Sequence, residues 1–477
     1  MKRCIIVVLG VLLLLKVAVA APPADLAATL DKRLADPALK GATIGVFIQS
    51  LGDGAIWYER NTNTSFIPAS NGKLVSAMLA LEYLKPEYHF TTRLLTRGTR
   101  ADGVLDGDLY LQGGGDPSLT PADLRAMAGL LAAGDEEHGI PPLREIKGKL
   151  ILDSAFFPGG KPLLGKGWEK SDLTWYYAAP AGALSCNRNA VKITVRGGKS
   201  GKRPVVTLDP PTGVLTIVNR AITSKRVRTG SVDMSRSGSV VRITGRVAPG
   251  VELSERVSVP DPARFTGEQF KLALKKLGVT VGAVEKGTAD PQSMQALVEH
   301  NSAPLSELVT TMLKESDNMY AEQLYWTLLA LYSLEKPLDE RYMALLSDFL
   351  HHSGLILWGM KLVDGSGLSR LNRVTPSAIV YLLIYMATTP QYDLFYQSLP
   401  IAGQDGTLEK RMCDTAACGN AHAKTGTMRG VCSLSGYVTT AAGERLVFSI
   451  LLNGYRQKAP AARSLQDDIV KYLAGVE

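Results

Sequence analysis

The chain changes character between residues 187 and 260. Short runs there, Ala190-Val191-Lys192-Ile193-Thr194-Val195 and Ser239-Val240-Val241-Arg242-Ile243-Thr244, alternate with the period of half-buried strands. Gly197-Gly198, Asp209-Pro210-Pro211 and Pro249-Gly250 punctuate them as turns. The flanks read differently. Residues 266–277 and 305–329 carry apolar side chains at helical spacing, 431–438 and 445–452 read as adjacent strands across an Ala-Gly turn, and 464–473 close the chain as an amphipathic helix. An α/β body drawn from both chain ends, with a β-rich insert between, is the organisation this pattern predicts. The length agrees, because 477 residues exceed what one hydrophobic core usually serves. A 45% hydrophobic and 21% charged mixture excludes a disordered chain and a multi-spanning membrane protein.

The same middle segment holds the charge. The net is +8, from 53 basic and 45 acidic residues. Residues 187–260 alone contain 14 Lys or Arg against 4 Asp or Glu. Residues 1–20 read as a secretory leader: Lys2 and Arg3, an apolar run over 5–15, then Ala18-Val19-Ala20 as a small-x-small cleavage site. Eleven apolar residues fall short of the about 20 that a spanning helix needs, and Lys16, Pro22 and Pro23 argue against an N-terminal anchor. No small-residue-plus-cysteine box surrounds Cys4. The mature chain is expected to begin near Ala21 and to work outside the cytosol. Removing Lys2, Arg3 and Lys16 leaves 50 basic against 45 acidic residues, a basic insert of +10 on a body of −5.

Three short patterns carry chemistry. Pro68-Ala69-Ser70-Asn71-Gly72-Lys73 reads as a helix entry, with Ser70 and Lys73 on one face. A serine hydroxyl becomes a nucleophile when a neighbouring base takes its proton, and an unprotonated lysine can do so. Alone, S-x-x-K is weak; a second copy, Ser333 to Lys336, is followed by Pro337 and is structurally bland. Glu315-Ser316-Asp317-Asn318 supplies S-x-N between helical, apolar flanks, whereas the other S-x-N, Ser185-Cys186-Asn187, reads as a turn into the basic segment. Lys424-Thr425-Gly426 supplies K-T-G ahead of a strand.

In this order the three patterns resemble those of penicillin-binding proteins and β-lactamases. With Gly107-Asp108-Leu109-Tyr110-Leu111, Gly113-Gly114-Gly115-Asp116-Pro117, Val259-Pro260-Asp261-Pro262, the NMYAEQ string from Asn318 to Gln323, and Val363-Asp364-Gly365-Ser366-Gly367-Leu368-Ser369-Arg370, the chain resembles the low-molecular-mass class C penicillin-binding proteins, the D-alanyl-D-alanine carboxypeptidase/endopeptidase family. The resemblance implies an α/β (α+β) penicillin-binding/β-lactamase-like transpeptidase domain with two nested inserted domains, the inner one β-rich. The expected boundaries are 21–90 and 291–477 for the catalytic domain, 91–186 and 261–290 for the second, and 187–260 for the third. The 246 residues separating Ser70 from Ser316 leave room for both inserts.

It further implies that Ser70 is the acylated nucleophile on peptidoglycan stem peptides and Lys73 its base. Ser316, held by Lys73 and Lys424, would relay the proton, and Asn318 would bond the substrate amide. Lys424 and Thr425 would receive the terminal carboxylate, Gly426 would lie among the substrate-binding residues, and the backbone N–H groups of Ser70 and Thr427 would form the oxyanion hole. Asp153, Arg370, Met428 and Arg429 are expected around a pocket for the polar end of the diamino acid, although Asp153 equally fits a turn cap after a strand. No cofactor or metal is implied, and His351-His352 reads as a solvated helix end. Expected partners are stem peptides, β-lactams as covalent inhibitors and, through 187–260, an anionic envelope surface rather than nucleic acid. The expected location is periplasmic, soluble or loosely membrane-associated. Cys413 and Cys418 are close enough for a short disulfide loop, beside Cys186 and Cys432. Two rivals stand: a β-lactamase, for which no glutamate sits in flanks like those of the class A deacylating loop, and a non-catalytic peptidoglycan-binding scaffold, which the complete motif set opposes.

Overall fold

The computed structural model describes residues 21–134, 141–356, 359–455 and 459–477. The leader expected over 1–20 lies outside them. Among the described residues no helix is long and apolar enough to cross a membrane.

A five-stranded antiparallel sheet organises both chain ends, in the order His422–Met428, Val431–Thr439, Arg445–Asn453, Thr43–Ser50, Ile56–Arg60. Strand alternation sends successive side chains to opposite faces. Ile44, Val46, Ile48, Phe448, Ile450 and Leu452 therefore meet the helices Leu26–Leu34 and Ala459–Ala474 on one side. Phe47, Val447 and Leu451 meet a helical layer on the other, including Gly72–Tyr83, Leu305–Glu315, Asn318–Leu331 and Pro376–Met386. Cover on both faces explains why 431–439 and 445–453 read as near-continuous apolar runs. It also leaves the K-T-G strand at the sheet edge.

Residues 305–329, read as helical spacing on both flanks of the S-x-N, form two helices, Leu305–Glu315 and Asn318–Leu331. Ser316 closes the first in the left-handed conformation (φ 58°), and Asp317 caps the second by accepting the Tyr320 N–H at 3.1 Å. Apolar positions run through this break because the first helix buries one face and the second is buried all round.

A second sheet orders Val284–Lys286, Leu150–Asp153, Leu109–Gln112, Thr91–Thr96 and Gln295–Asn301. The last strand pairs with Thr91–Thr96, so the returning segment of this unit reaches Asn301, beyond the boundary expected at 290. Residues 190–258 form two small sheets, one of Val205–Asp209, Ala190–Arg196 and Glu252–Ser258, the other built around Val240–Val247. Their inward residues, among them Val191, Ile193, Val241 and Ile243, join one apolar cluster with Leu94, Leu111 and Leu150 of the second sheet and Phe265, Phe270 and Leu274 of the helix Pro262–Lys276. The basic block thus shares its core with the unit it interrupts.

Candidate active site

Ser70 lies in a tight turn, Ala69–Asn71, just ahead of the helix Gly72–Tyr83 rather than inside it. Ala69 takes a left-handed φ of 47°, which lifts the serine out of the helical path. Two glycines let the surroundings close on this turn. A Cβ on Gly367 would sit 1.9 Å from the Ala69 carbonyl oxygen, and one on Gly426 would sit 2.9 Å from the Ser70 nitrogen. The K-T-G strand is further tied to the turn by Asn71, whose Nδ2 donates to the Lys424 carbonyl at 2.7 Å.

Lys73 is fully buried, and its Nζ donates to Ser70 Oγ at 3.0 Å, Asn318 Oδ1 at 2.6 Å and the Ser366 carbonyl at 2.8 Å. Burial pushes its ammonium down to about 8, against the opposing pull of Asp317, Asp364 and Glu322. Lys424, also buried, donates to Ser316 Oγ at 2.8 Å and to the Thr425 carbonyl at 2.8 Å. Desolvation and then the nearby Lys73 charge hold it well below the usual lysine range. Two like charges in one dry site disfavour double protonation, and Lys73, the amine at Ser70, becomes neutral as pH passes through about 8.

The Ser70 hydroxyl opens on a cavity of about 540 Å³, lined by Tyr177, Asn318 and Thr427 and, further out, by Glu169, Asp172, Arg370, Met428 and Arg429. A polarised serine beside a buried amine, at the mouth of such a cleft and under a sheet edge, is equipped for acyl transfer. A sequence model of the D-Ala-D-Ala carboxypeptidase 3 (S13) family matches residues 26–476.

The chain belongs to that family.

The D-alanyl-D-alanine carboxypeptidase of Actinomadura sp. (strain R39) is 34% identical over 467 residues, covering 94% of this chain and 84% of that one. The D-alanyl-D-alanine carboxypeptidase DacB of Haemophilus influenzae is 26% identical over 450 residues, covering 91% and 92%. The crystal structure of penicillin binding protein 4 (dacB) from Haemophilus influenzae superimposes with a TM-score of 0.79 at 25% identity, over 94% of this chain and 99% of that one. The penicillin-binding fold and a hydrolase of the serine D-Ala-D-Ala carboxypeptidase type follow.

Within this S13 fold three expectations change. Asp153 is buried away from Ser70. Its carboxylate accepts from Gln112 Nε2 (2.9 Å), Ala155 N (2.8 Å) and Ala289 N (3.0 Å), and it lines a different cavity, so it is a turn cap and not a pocket residue. The acids that do reach the cleft are Glu169, paired with Arg370 Nε at 2.8 Å, and Asp172, which accepts from Tyr177 OH at 3.1 Å. Ser316 is bonded by Lys424, while Lys73 bonds Asn318 instead. Asn318 also donates through Nδ2 to the Tyr177 carbonyl at 2.7 Å, so its amide already joins the helix to the cleft wall. Finally, Cys186, Cys413, Cys418 and Cys432 are free thiols, and Cys413 Sγ faces the Glu409 carbonyl at 3.6 Å instead of bridging Cys418.

Of the strand-edge residues Thr427 lines the cleft, Gly426 packs against the Ser70 turn, and Thr425 Oγ1 lies 2.7 Å from Thr407 Oγ1. Sequence reasoning also missed Glu322 and Asp364. Glu322 is buried and accepts the N–H groups of Gly365 (3.1 Å) and Ser366 (2.9 Å), fixing the carbonyl that receives Lys73. Burial, reinforced by Asp364, pushes its carboxyl up to about 8. Asp364 accepts from Gly367 N, Ser369 N, Asn372 Nδ2 and Trp168 Nε1, and so ties the Gly365–Ser369 loop to the far wall. Both acids stand in strings that carried the resemblance; a polar residue inside an apolar helical run was the available signal for Glu322.

Proposed function

We propose that this protein is a serine D,D-peptidase of peptidoglycan stem peptides. The observation that carries the reading is the 3.0 Å contact between Ser70 Oγ and the buried, easily deprotonated Lys73 Nζ. Neutral Lys73 takes the hydroxyl proton as Ser70 Oγ bonds to the carbonyl carbon between two D-alanines. The N–H groups of Ser70 and Thr427 receive the developing oxyanion, each worth about 3 kcal/mol in the transition state. As the tetrahedral intermediate collapses, the C–N bond breaks and the proton passes through Ser316, held by Lys424, to the departing amine. Water then cleaves the acyl-enzyme ester, releasing the shortened peptide and restoring the hydroxyl. Lys424 and Thr425 receive the carboxylate of the leaving D-alanine, and a β-lactam ring enters the same path as a covalent inhibitor.

Asp172, Arg370 and Met428, gathered in the cleft, are suited to the ammonium and carboxylate end of a diamino acid. That end is present both in a terminal stem and in a crosslinked one, so the reading includes removal of terminal D-alanine and cleavage of D-Ala-diaminopimelate crosslinks. A β-lactamase is disfavoured because no glutamate sits in flanks like those of the class A deacylating loop. The periplasm is the setting, reached through the leader over 1–20. Release of D-alanine from an acyl-D-Ala-D-Ala peptide tests the reading. The wild-type chain should release it and S70A should not; release by S70A at the wild-type rate would overturn it.

A further inference from the structure

Arg188 belongs to the basic insert by sequence, yet its side chain reaches the S-x-N segment. Its Nη1 lies 2.7 Å from Glu315 Oε2 and 2.9 Å from Asp317 Oδ2, the two acids that bracket Ser316. The guanidinium also stands 5.2 Å from the Tyr320 ring, in the first turn of the helix that begins at Asn318. Asp317 is almost fully buried, with a side-chain exposure of 7%, so this pair is shielded from water in a way that surface pairs are not.

The backbone beneath Arg188 is built for this reach. Asn187, Arg188 and Asn189 have φ values of 52°, 54° and 49°, three consecutive non-glycine residues in the left-handed region. Side chains other than glycine adopt this region only at a cost in backbone strain. Buried Asn189 holds the turn by donating to the Pro180 carbonyl (2.9 Å) and Ser185 Oγ (2.8 Å), and Asn187 Nδ2 donates to the Ala190 carbonyl at 2.7 Å. Strain retained by dedicated side-chain bonds and pointed at catalytic groups is the pattern of a functional constraint.

We infer that Arg188 is a positioning residue for acyl transfer: it fixes the Glu315–Asn318 segment and neutralises the Asp317 carboxylate beside Lys73. This rests on the proposed serine peptidase reading. Two consequences separate it from a simple structural tie. Ser316 and Asn318 sit on either side of Asp317, so releasing the clamp loosens both the Lys424–Ser316 and the Lys73–Asn318 contacts. The electrostatic consequence concerns Lys73. It is faced by Asp317 and Glu322 from the second helix, Asp364 from the 364–369 loop and Lys424 from the strand, with Arg188 behind Asp317. Among these Asp317 is the leading charge favouring the ammonium form. Without its cationic partner, Asp317 acts on Lys73 unopposed, and the neutral base appears only at higher pH.

The test compares wild type, R188A, R188Q and R188K by the second-order rate of acylation with a fluorescent penicillin across pH, with melting temperature recorded for each. R188A and R188Q should acylate about 10- to 100-fold more slowly, the loss expected when positioned groups shift by about 1 Å. Their alkaline rise should move to higher pH, and R188K should recover its position and most of the rate. Wild-type rate and limb in R188Q would overturn the inference, as would a uniform loss with an unmoved limb that lysine does not rescue. R188Q and R188K decide the matter if R188A does not fold. If wild type shows no Ser70-dependent acylation at all, the serine peptidase reading itself has failed, a result distinct from these.

Discussion

Lys73 is where burial and chemistry meet. A lysine in water holds its proton to a pH near 10.4 and is useless as a base at neutrality. Desolvation brings Lys73 down to about 8, and three acids stop it from falling further. Because the neutral amine is the active form, acylation should be slow below that value and rise as pH passes through about 8. Stopped-flow acylation across pH checks this; a rate flat from about pH 6 to about pH 10 would remove Lys73 as the base. Ser70, Lys73, Ser316, Asn318 and Lys424 were legible in the sequence because each pair is set by local spacing that a turn, helix or strand preserves. The polar cleft wall was not. Asp153 and Asp172 both stand where a turn begins, and only the long-range path of residues 154–178 decides which one faces Ser70.

At the scale of elements, the site depends on close approach between three pieces: the Ser70 turn, the K-T-G strand and the loop carrying Gly367. Gly426 is the tightest point on the strand, since a Cβ there would meet Ser433 Oγ at 2.2 Å and the Ser70 nitrogen at 2.9 Å. G426A should therefore push the strand from the turn and lower acylation about 100-fold, the loss expected when catalytic groups shift by about 1 Å. The sheet core should persist, because Val431–Thr439 is anchored independently on both faces. Acylation rate set against melting temperature separates the two; equal loss in both would mean the strand is a stability element only. Two of the five sheet strands, Val431–Thr439 and Arg445–Asn453, and the closing helix were visible in the sequence, whereas Thr43–Ser50 and Ile56–Arg60 were not. The break at Ser316 was hidden because hydrophobic period reports which face is buried, not whether the backbone is continuous. Strand Gln295–Asn301 was assigned to the wrong unit because its partner, Thr91–Thr96, is distant in sequence.

For the whole molecule, the charges of the basic insert divide by the direction in which they point. Some of its arginines work inward. Arg188 clamps the S-x-N segment, and Arg236 donates to the Leu173 carbonyl and Ser258 Oγ, pinning the stretch that leads to Tyr177 in the cleft wall. Others face water. Lys192 and Arg256, with Arg125 and Lys276 from the second unit, line a cavity of about 790 Å³ against the single acid Asp209. This surface is suited to an anionic envelope polymer. Sedimentation with purified cell envelopes should weaken as salt rises, and K192E/K276E should weaken it at low salt while leaving D-alanine release from a small peptide unchanged. Salt-indifferent sedimentation would assign the outward charge to solubility alone. The account as a whole stands on the acyl-enzyme. Peptide mapping by mass spectrometry after brief exposure to penicillin tests it most directly. One penicilloyl group per chain on the peptide containing Ser70, absent in S70A, is the predicted result; a label on any other residue, or an unmodified Ser70 peptide, would contradict it.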